Sequence, residues 1–268
     1  MNPSRVPSRR EFLKRSTWMG AGLWIVGSRV RADLRSPNEL LRIGIIGAGG
    51  RGAANTKAVA GERIVALCDV DAKRLARAAE PFAEAKTYAD FRDLLEHKDL
   101  DAVVVSTPDH THAVATVMAL KQGKHVYCEK PLCHSIHEAR AIARAAAEAR
   151  RATQMGNAGH SSETSRRVVE LIQAGAIGPV REVHAWTNRP IWPQGLAERP
   201  APQPVPEHLN WNLWLGPAPE RPHSDAYHPF KWRGWWDFGT GALGDMGCHI
   251  LDPAFWALDL RDPTVIEA

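Results

Sequence analysis

The stretch Ile43-Gly44-Ile45-Ile46-Gly47-Ala48-Gly49-Gly50-Arg51-Gly52 decides the fold. An apolar run of strand character ends in G-x-G-x-x-G at Gly47, Gly49 and Gly52, then opens into an Ala-containing helical stretch. The spacing alone is weak; a strand before it and a helix after it make it specific. Gly47 permits the tight turn, Gly49 lets the backbone approach a pyrophosphate, and Gly52 lets the helix pack close to the strand. The pyrophosphate would rest at Gly50 and Arg51, on a helix N-terminus whose free N–H groups point at it. A second strand ends at Asp69, twenty residues past Gly49. A carboxylate there accepts hydrogen bonds from ribose hydroxyls and repels a 2′-phosphate, which favours NAD over NADP. Arg51 and Arg74 soften that preference, so NADP stays open.

The same texture continues outward. β-Branched runs at Arg42–Ile46, Arg63–Cys68, Ala102–Ser106, His125–Cys128 and Thr153–Met155 alternate with helical stretches near Gly50–Ala60, Ala72–Glu80, Thr111–Gln122 and Ile136–Arg150. Such alternation predicts βαβ units and a buried parallel sheet. The fold class is therefore α/β: a Rossmann dinucleotide-binding domain over 38–157, followed by a second domain over 158–268. There a helix is expected near Ser162–Ala174, a half-exposed strand at Val180–Thr187, and a helical stretch at Gly241–Leu258 interrupted by Pro253. Val265-Ile266-Glu267-Ala268 reads as the start of another strand. From Arg189 to Arg233 the chain is rich in Pro and Trp with little periodicity, and an irregular stretch of that length inside a domain is usually functional.

The 268 residues carry a net charge of +4 and a pI near 9.0. That balance suggests nucleic acid until the charge is located. Residues 1–32 hold seven Arg or Lys against one Glu, a net of +6, so the remainder is slightly acidic at −2. No nucleic-acid partner is expected. Ser8-Arg9-Arg10-Glu11-Phe12-Leu13-Lys14 resembles the twin-arginine export motif, and a short apolar run from Trp18 to Gly27 follows. About ten apolar residues are too few for a bilayer, which needs ~20. Residues 1–32 thus read as a cleavable signal, and the protein as exported and periplasmic with no stable membrane span. Four Cys in this length exclude a disulfide scaffold.

Three further segments carry a family resemblance. They are Thr107-Pro108-Asp109-His110-Thr111-His112, then Gly123-Lys124-His125-Val126-Tyr127-Cys128-Glu129-Lys130-Pro131, then Asp245-Met246-Gly247-Cys248-His249. With the glycine turn they form four motifs in order, and the chain resembles the glucose–fructose oxidoreductase / inositol dehydrogenase (Gfo/Idh/MocA) family from about Arg42 onward. The resemblance implies Lys130, Asp245 and His249 as the catalytic trio and a cis bond before Pro131. It further implies Thr107, Pro108 and His112 at the cofactor, Glu129 at the nicotinamide ribose and Asn157 near the nicotinamide. It implies a tightly bound NAD and a homo-oligomer in the full-length form. Relatives build their second domain on a large open antiparallel sheet, much of which this chain lacks. Exposed apolar surface is expected there, as from a truncated domain.

The residues make chemical sense without the family. Oxidising a carbinol needs a base for the O–H proton and a hydride acceptor opposite the C–H. Asp245 and His249, four apart, share a helix face; the carboxylate can orient the imidazole, which serves as general acid/base. Lys130 ends a strand, where doubly wound sheets place their ligands, and its cation can hold a substrate oxygen. Taken singly, Lys-Pro is an ordinary surface turn and the Asp–His pair an ordinary helix-face bond. Seven of ten Trp fall between 186 and 236. Most read as packing for an irregular segment, with Arg189 and Trp235 as candidates for sugar recognition. No zinc spacing appears; a metal site from His110, His112, Asp245 and His249 is the weaker alternative, and no metal is expected.

The expected activity is hydride transfer between NAD(P) and a sugar, cyclitol or related polyol. Two alternatives stay open. One is a glycoside hydrolase or lyase that transiently oxidises the sugar and restores its cofactor, which suits a compartment without free NAD. The other is an inactive or non-enzymatic fragment.

Overall fold

Strand β1, Arg42–Ile46, is buried continuously from Ile43 onward, with Ile43 and Ile45 packed on one face and Ile46 on the other, and that places the core. The computed structural model describes residues 40–267. The expected export segment at 1–32 lies outside them. Leu41–Ala268 forms one compact unit. Its sheet holds six strands, all parallel, in the order β3-β2-β1-β4-β5-β6, with β2 at Arg63–Cys68, β3 at Lys86–Tyr88, β4 at Ala102–Val105, β5 at His125–Glu129 and β6 at Thr153–Gly156. This is the doubly wound dinucleotide-binding order, with its switch point between β1 and β4.

Helices cover both faces. Ile43, Ile45, Ile64 and Leu67 pack on one side with Leu75, Ala78 and Ala79. These alanines and Leu75 belong to α2, Ala72–Ala79, which follows α1, Arg51–Ala58. On the other face Ile46, Val103, Val105 and Cys128 pack with Leu94, Leu95, Ala115 and Ala119. Those come from α3, Phe91–Leu95, and α4, Asp109–Lys121. The fifth helix, α5 at Ile136–Ala149, starts at a capping box in which Ser135 and Glu138 satisfy each other's backbone N–H groups.

Helix α4 is buried at His110, Thr111 and His112 as well as at Ala115, Ala119 and Leu120. A helix wrapped this way needs a second partner, and the Trp-rich segment supplies it. Leu209, Trp211, Trp214, Tyr227, Trp232 and Phe238 form their own apolar cluster. Trp211 and Trp214 stack with centroids 4.6 Å apart. The cluster docks on the Rossmann sheet through backbone bonds from Ala72 to the His208 carbonyl and from Asn210 to the Val70 carbonyl. His110 ties α4 to the same segment, one ring nitrogen facing the Trp214 carbonyl and the other the Phe238 carbonyl. The expected packing role for most Trp is what the structure shows: Trp192, Trp211, Trp214 and Trp232 are buried, while Trp186 and Trp236 are exposed.

Within the stretch read as irregular lie a short helix α7, Trp211–Leu215, and a 3-10 turn, Lys231–Gly234. Helix α6 spans Glu163–Gln173, within the expected range. The last helical stretch is split into α8, Gly241–Ile250, and α9, Asp252–Leu258, with Pro253 in the first turn of α9. Pro tolerates that position because a first-turn N–H has no intrahelical acceptor.

Three expectations are corrected. Residues 180–187 are not a strand but exposed irregular chain, because their alternation meets no partner strand among the described residues. Val265 and Ile266 are likewise exposed and unpaired. Among the described residues the open antiparallel sheet is absent, and the parallel sheet is the one sheet present. Exposed apolar side chains such as Ile177, Trp186 and Leu243 mark that second region, as expected.

Candidate active site

The glycine turn is held from below. The N–H groups of Gly47 and Ala48 both donate to the Cys68 carbonyl, which locks the end of β1 to the end of β2. Gly47 has φ +81°, a conformation that suits glycine. A Cβ on Gly52 would stand 1.7 Å from the Gly47 carbonyl oxygen, so helix and turn touch there without room for a side chain. The Asp69 carboxylate accepts from the Gly49 N–H at 2.8 Å and from the Asp71 N–H at 3.0 Å. Burial raises its pKa, and those two N–H donors and Arg74 oppose the rise. Arg74 lies against Gly49.

The second part of the site is the end of β5. Glu129 is buried and accepts from Arg51 Nε at 3.0 Å and from Asn55 Nδ2 at 2.9 Å. Lys130 follows, and the Lys130–Pro131 bond is cis. Lys130 Nζ donates to Asp245 Oδ1 at 2.8 Å and to the Asp245 main-chain carbonyl at 2.9 Å. The structure thus brings Lys130 to Asp245, as a joint site requires. It does not pair Asp245 with His249. Among the described residues the Asp245 carboxylate meets Lys130 and, at 3.6 Å, Arg233. A full cation outcompetes a neutral imidazole for the one carboxylate. His249 is half-exposed, and burial and then Lys130 lower its pKa below the usual histidine value.

His112 is also corrected. Its side chain faces the Pro131 carbonyl through Nδ1 and the Thr107 carbonyl through Nε2, both at 2.7 Å. It is fully buried and absent from the cavity wall. It is a strut beneath the cofactor-side turns rather than a contact. Both ring nitrogens face acceptors at short range, an arrangement that favours the doubly protonated imidazolium. Burial opposes that charge, but Cys128, Asp109 and the Pro131 carbonyl outweigh it and raise the pKa to about 10. His110 behaves oppositely: burial lowers it to about 4 despite its two carbonyl neighbours.

Both halves open on one cavity of about 900 Å³. Gly47, Gly49, Gly50, Arg51 and Asp69 line its dinucleotide end. Thr107, Pro108, Glu129 and Lys130 form its middle, and Asp245, His249 and Arg189 its far end. Gly52, Asn157 and Trp235 are not in the wall. Gly52 acts from behind, through helix packing. Asn157 donates to the Cys248 carbonyl at 2.7 Å and so joins the end of β6 to α8. Trp235 gives its indole N–H to the Ala226 carbonyl and packs on the Trp cluster, which removes it from sugar recognition.

His228 lines the wall too, and so do Trp232 and Arg233, which the sequence did not single out. Burial, then Arg74, lowers the His228 pKa to about 4. The Arg233 guanidinium lies 4.2 Å from the Trp232 ring centroid and 4.7 Å from that of Phe230. The run Lys231-Trp232-Arg233-Gly234-Trp235 signalled only cations among aromatics.

A dinucleotide fits these residues. The turn at Gly49 and Gly50 leaves its backbone uncovered by side chains of its own, and Thr107, in the wall, has a buried Oγ1 without a hydrogen-bond partner among the described residues. His110 and His112 are committed to backbone carbonyls, and no cluster of three or more metal-ligating side chains occurs among the described residues.

Comparison with known proteins agrees with this geometry. Residues 41–157 match the family model described as an oxidoreductase family with an NAD-binding Rossmann fold. Residues 165–267 match the model for the C-terminal alpha/beta domain of that oxidoreductase family. The chain belongs to the Gfo/Idh/MocA family. An inositol 2-dehydrogenase of Rubrobacter xylanophilus is 33% identical over 158 residues, which is 57% of this chain and 45% of that protein. A glycosyl hydrolase family 109 protein of Saccharopolyspora erythraea is 31% identical over 284 residues, 95% of this chain and 55% of that protein. The crystal structure of an oxidoreductase domain protein from Kribbella flavida matches with a TM-score of 0.61 and 30% identity, covering 82% of this chain and 54% of that one. The chain spans about half the length of the curated relatives it matches.

Proposed function

We propose that this chain is an NAD-dependent oxidoreductase that oxidises or reduces a CH–OH group of a sugar, cyclitol or related polyol. The observation that carries the reading is the continuity of one cavity from the glycine turn to Lys130, Asp245 and His249. NAD, when bound, would supply the hydride acceptor. Gly49, Gly50 and the N-terminus of α1 would hold its pyrophosphate, and Asp69 its adenosine ribose. Lys130, pinned by two oxygens of Asp245, keeps an N–H to offer the substrate oxygen, where it stabilises developing negative charge. His249 is held neutral near pH 7 by its lowered pKa, so it can take the hydroxyl proton.

A second reading is favoured by the likeness to a glycosyl hydrolase family 109 protein over 95% of this chain. In it the same residues would oxidise a glycoside transiently and return the hydride after the aglycone leaves. Mixing the purified protein with NAD and either free polyols or glycosides separates the two. Net NADH from free polyols supports the first; aglycone release without net NADH supports the second; neither, with no NAD bound, contradicts both.

The Ser8–Lys14 motif supports export to the periplasm by the twin-arginine route, with a tightly held cofactor taken up before transport. The family matches meet between residues 157 and 165, which supports a division into a cofactor domain and a substrate domain. Exposed Ile177, Trp186, Trp236 and Leu243 favour a homo-oligomer.

A further inference from the structure

Charge pairing around the cavity leaves an imbalance at its far end. The acids of the wall are already answered. Asp90 pairs with Arg92, and Glu129 with Arg51. Asp69 is held by two backbone N–H groups. Asp109 accepts from the Thr240 hydroxyl and lies in the field of His112. Asp245 is taken by Lys130 at 2.8 Å.

Two guanidinium groups remain. Arg233 shares the Asp245 carboxylate only at 3.6 Å, after Lys130 has claimed it. One of its nitrogens donates to the Phe230 carbonyl at 3.1 Å, and the group rests on Trp232 and Phe230. Arg189 has no carboxylate partner among the described residues; it lines the same cavity wall as Arg233, whose guanidinium lies 5.9 Å from the ring centroid of Trp192, three residues beyond Arg189 along the chain. Burial lowers the Arg233 pKa, Asp245 and Asp109 oppose that, and Arg189 adds to the lowering. Lys130, Arg233 and Arg189 stand against Asp245 and Asp109 at this end, which leaves a cation without a carboxylate, an arrangement that an added anion relieves.

We propose that the substrate carries a carboxylate, as a sugar acid or uronate does, and that Arg189 and Arg233 together bind it beside Lys130. The assignment deepens the oxidoreductase reading and rests on it for the reacting carbinol. The planar, forked donors of Arg match the two oxygens of a carboxylate, and the Trp232–Phe230 shelf holds the fork of Arg233 in place. Anchoring the acid there sets a neighbouring hydroxyl of the same molecule against Lys130 and His249. The two arginines read charge, and the lysine and histidine act on the hydroxyl.

The test is calorimetric titration of the full chain, with and without saturating NAD, using D-glucuronate, D-glucose, myo-inositol and glucose 6-phosphate. The expected result is glucuronate bound at least about tenfold more tightly than the neutral compounds, as charge-assisted bonds provide. Arg189→Gln and Arg233→Gln should each remove most of that preference while NAD binding persists, which also shows that the variants are folded. Equal binding of neutral and acidic sugars overturns the proposal. So does a preference retained in both variants, or a preference for the phosphate over the carboxylate. A chain that binds no NAD yet keeps an arginine-dependent uronate preference supports this assignment and contradicts the oxidoreductase reading. A chain that binds NAD without that preference does the reverse.

Discussion

Lys130 and Asp245, 115 residues apart in sequence, are joined twice: Lys130 Nζ donates to the Asp245 carboxylate and to its main-chain carbonyl. The bond ties the end of β5 to helix α8 and fixes one end of the cavity. Breaking it from either side leaves a poorly solvated charge, since the two side chains are only 16% and 11% exposed. Loss of one partner of a buried pair costs about 3–5 kcal/mol, and partial exposure places this pair at or below the low end. Lys130→Met and Asp245→Asn should each lower the melting temperature and reduce kcat/KM by about 100-fold or more. Steady-state rates with any accepted polyol, beside thermal melts, check this. A variant with unchanged kcat/KM would remove the residue from the site.

His249 governs the pH dependence of the chemistry. Its lowered pKa means the neutral imidazole is populated to a pH below the ordinary histidine value of about 6.5. The acid limb of kcat/KM should therefore fall below that pH, with activity lost as the ring is protonated. His249→Gln should reduce kcat by about 10²- to 10⁴-fold and erase that limb. A pH–rate profile of both proteins gives the answer, and an acid limb surviving in the variant would assign it to another group.

His112 should leave a signature in stability. Its pKa is raised to about 10 in the fold, so the folded protein binds the extra proton between about 6.5 and 10. The stabilisation is fully present below about 6.5 and disappears as pH rises through about 10. The melting-temperature difference between the wild type and His112→Gln should shrink across that window. His110 and His228, both lowered to about 4, work in the opposite direction: their contribution is present above about 6.5 and fades as pH falls through about 4. A difference for His112→Gln that is flat from pH 6.5 to 10 would mean the ring is neutral.

Two glycines of the turn should fail differently. Gly52→Ala drives a Cβ into the Gly47 carbonyl oxygen and forces helix and strand apart. It should destabilise the fold by several kcal/mol, on the order of the larger single-mutation effects. In Gly49→Ala the new methyl meets Arg74 Cδ at 2.7 Å, which can swing away, and Arg74 Cβ at 3.0 Å and Asp69 Oδ2 at 3.1 Å, which must yield by a few tenths of an ångström. That variant should lose less stability than Gly52→Ala and bind NAD weakly, because the methyl stands where the pyrophosphate approaches. Circular dichroism melts and NAD titration separate the two outcomes. Equal destabilisation would contradict the close-approach argument.

The sequence made the cofactor half legible because its signals are local. β1 and β2 end at the residues where the apolar runs end, and Gly47, Gly49 and Asp69 follow from spacing. Strand β3 escaped notice because Lys86-Thr87-Tyr88 is short and polar, an edge with little apolar pattern. Residues 180–187 misled for the converse reason, an alternating pattern with no strand beside it. The reacting end was partly legible: the motifs named Lys130 and Asp245, but pattern alone could not say whether Asp245 would turn to His249 or to Lys130. That choice depends on three-dimensional competition between a cation and an imidazole. His112 shows the same limit, since only the fold reveals that its ring bridges two turns. Arg233 carried no periodic or motif signal, and the docking of the Trp cluster is what puts it and His228 in the wall.

The glycine turn and Asp69 should bind NAD in a cavity that reaches Lys130. Calorimetric titration of the full chain with NAD and with NADP tests it most directly. The expected result is saturable binding of one NAD per chain, with NADP weaker because the Asp69 carboxylate repels a 2′-phosphate, and a loss of that discrimination in Asp69→Ala. No binding of either dinucleotide by the folded protein, or NADP bound more tightly than NAD, would contradict it.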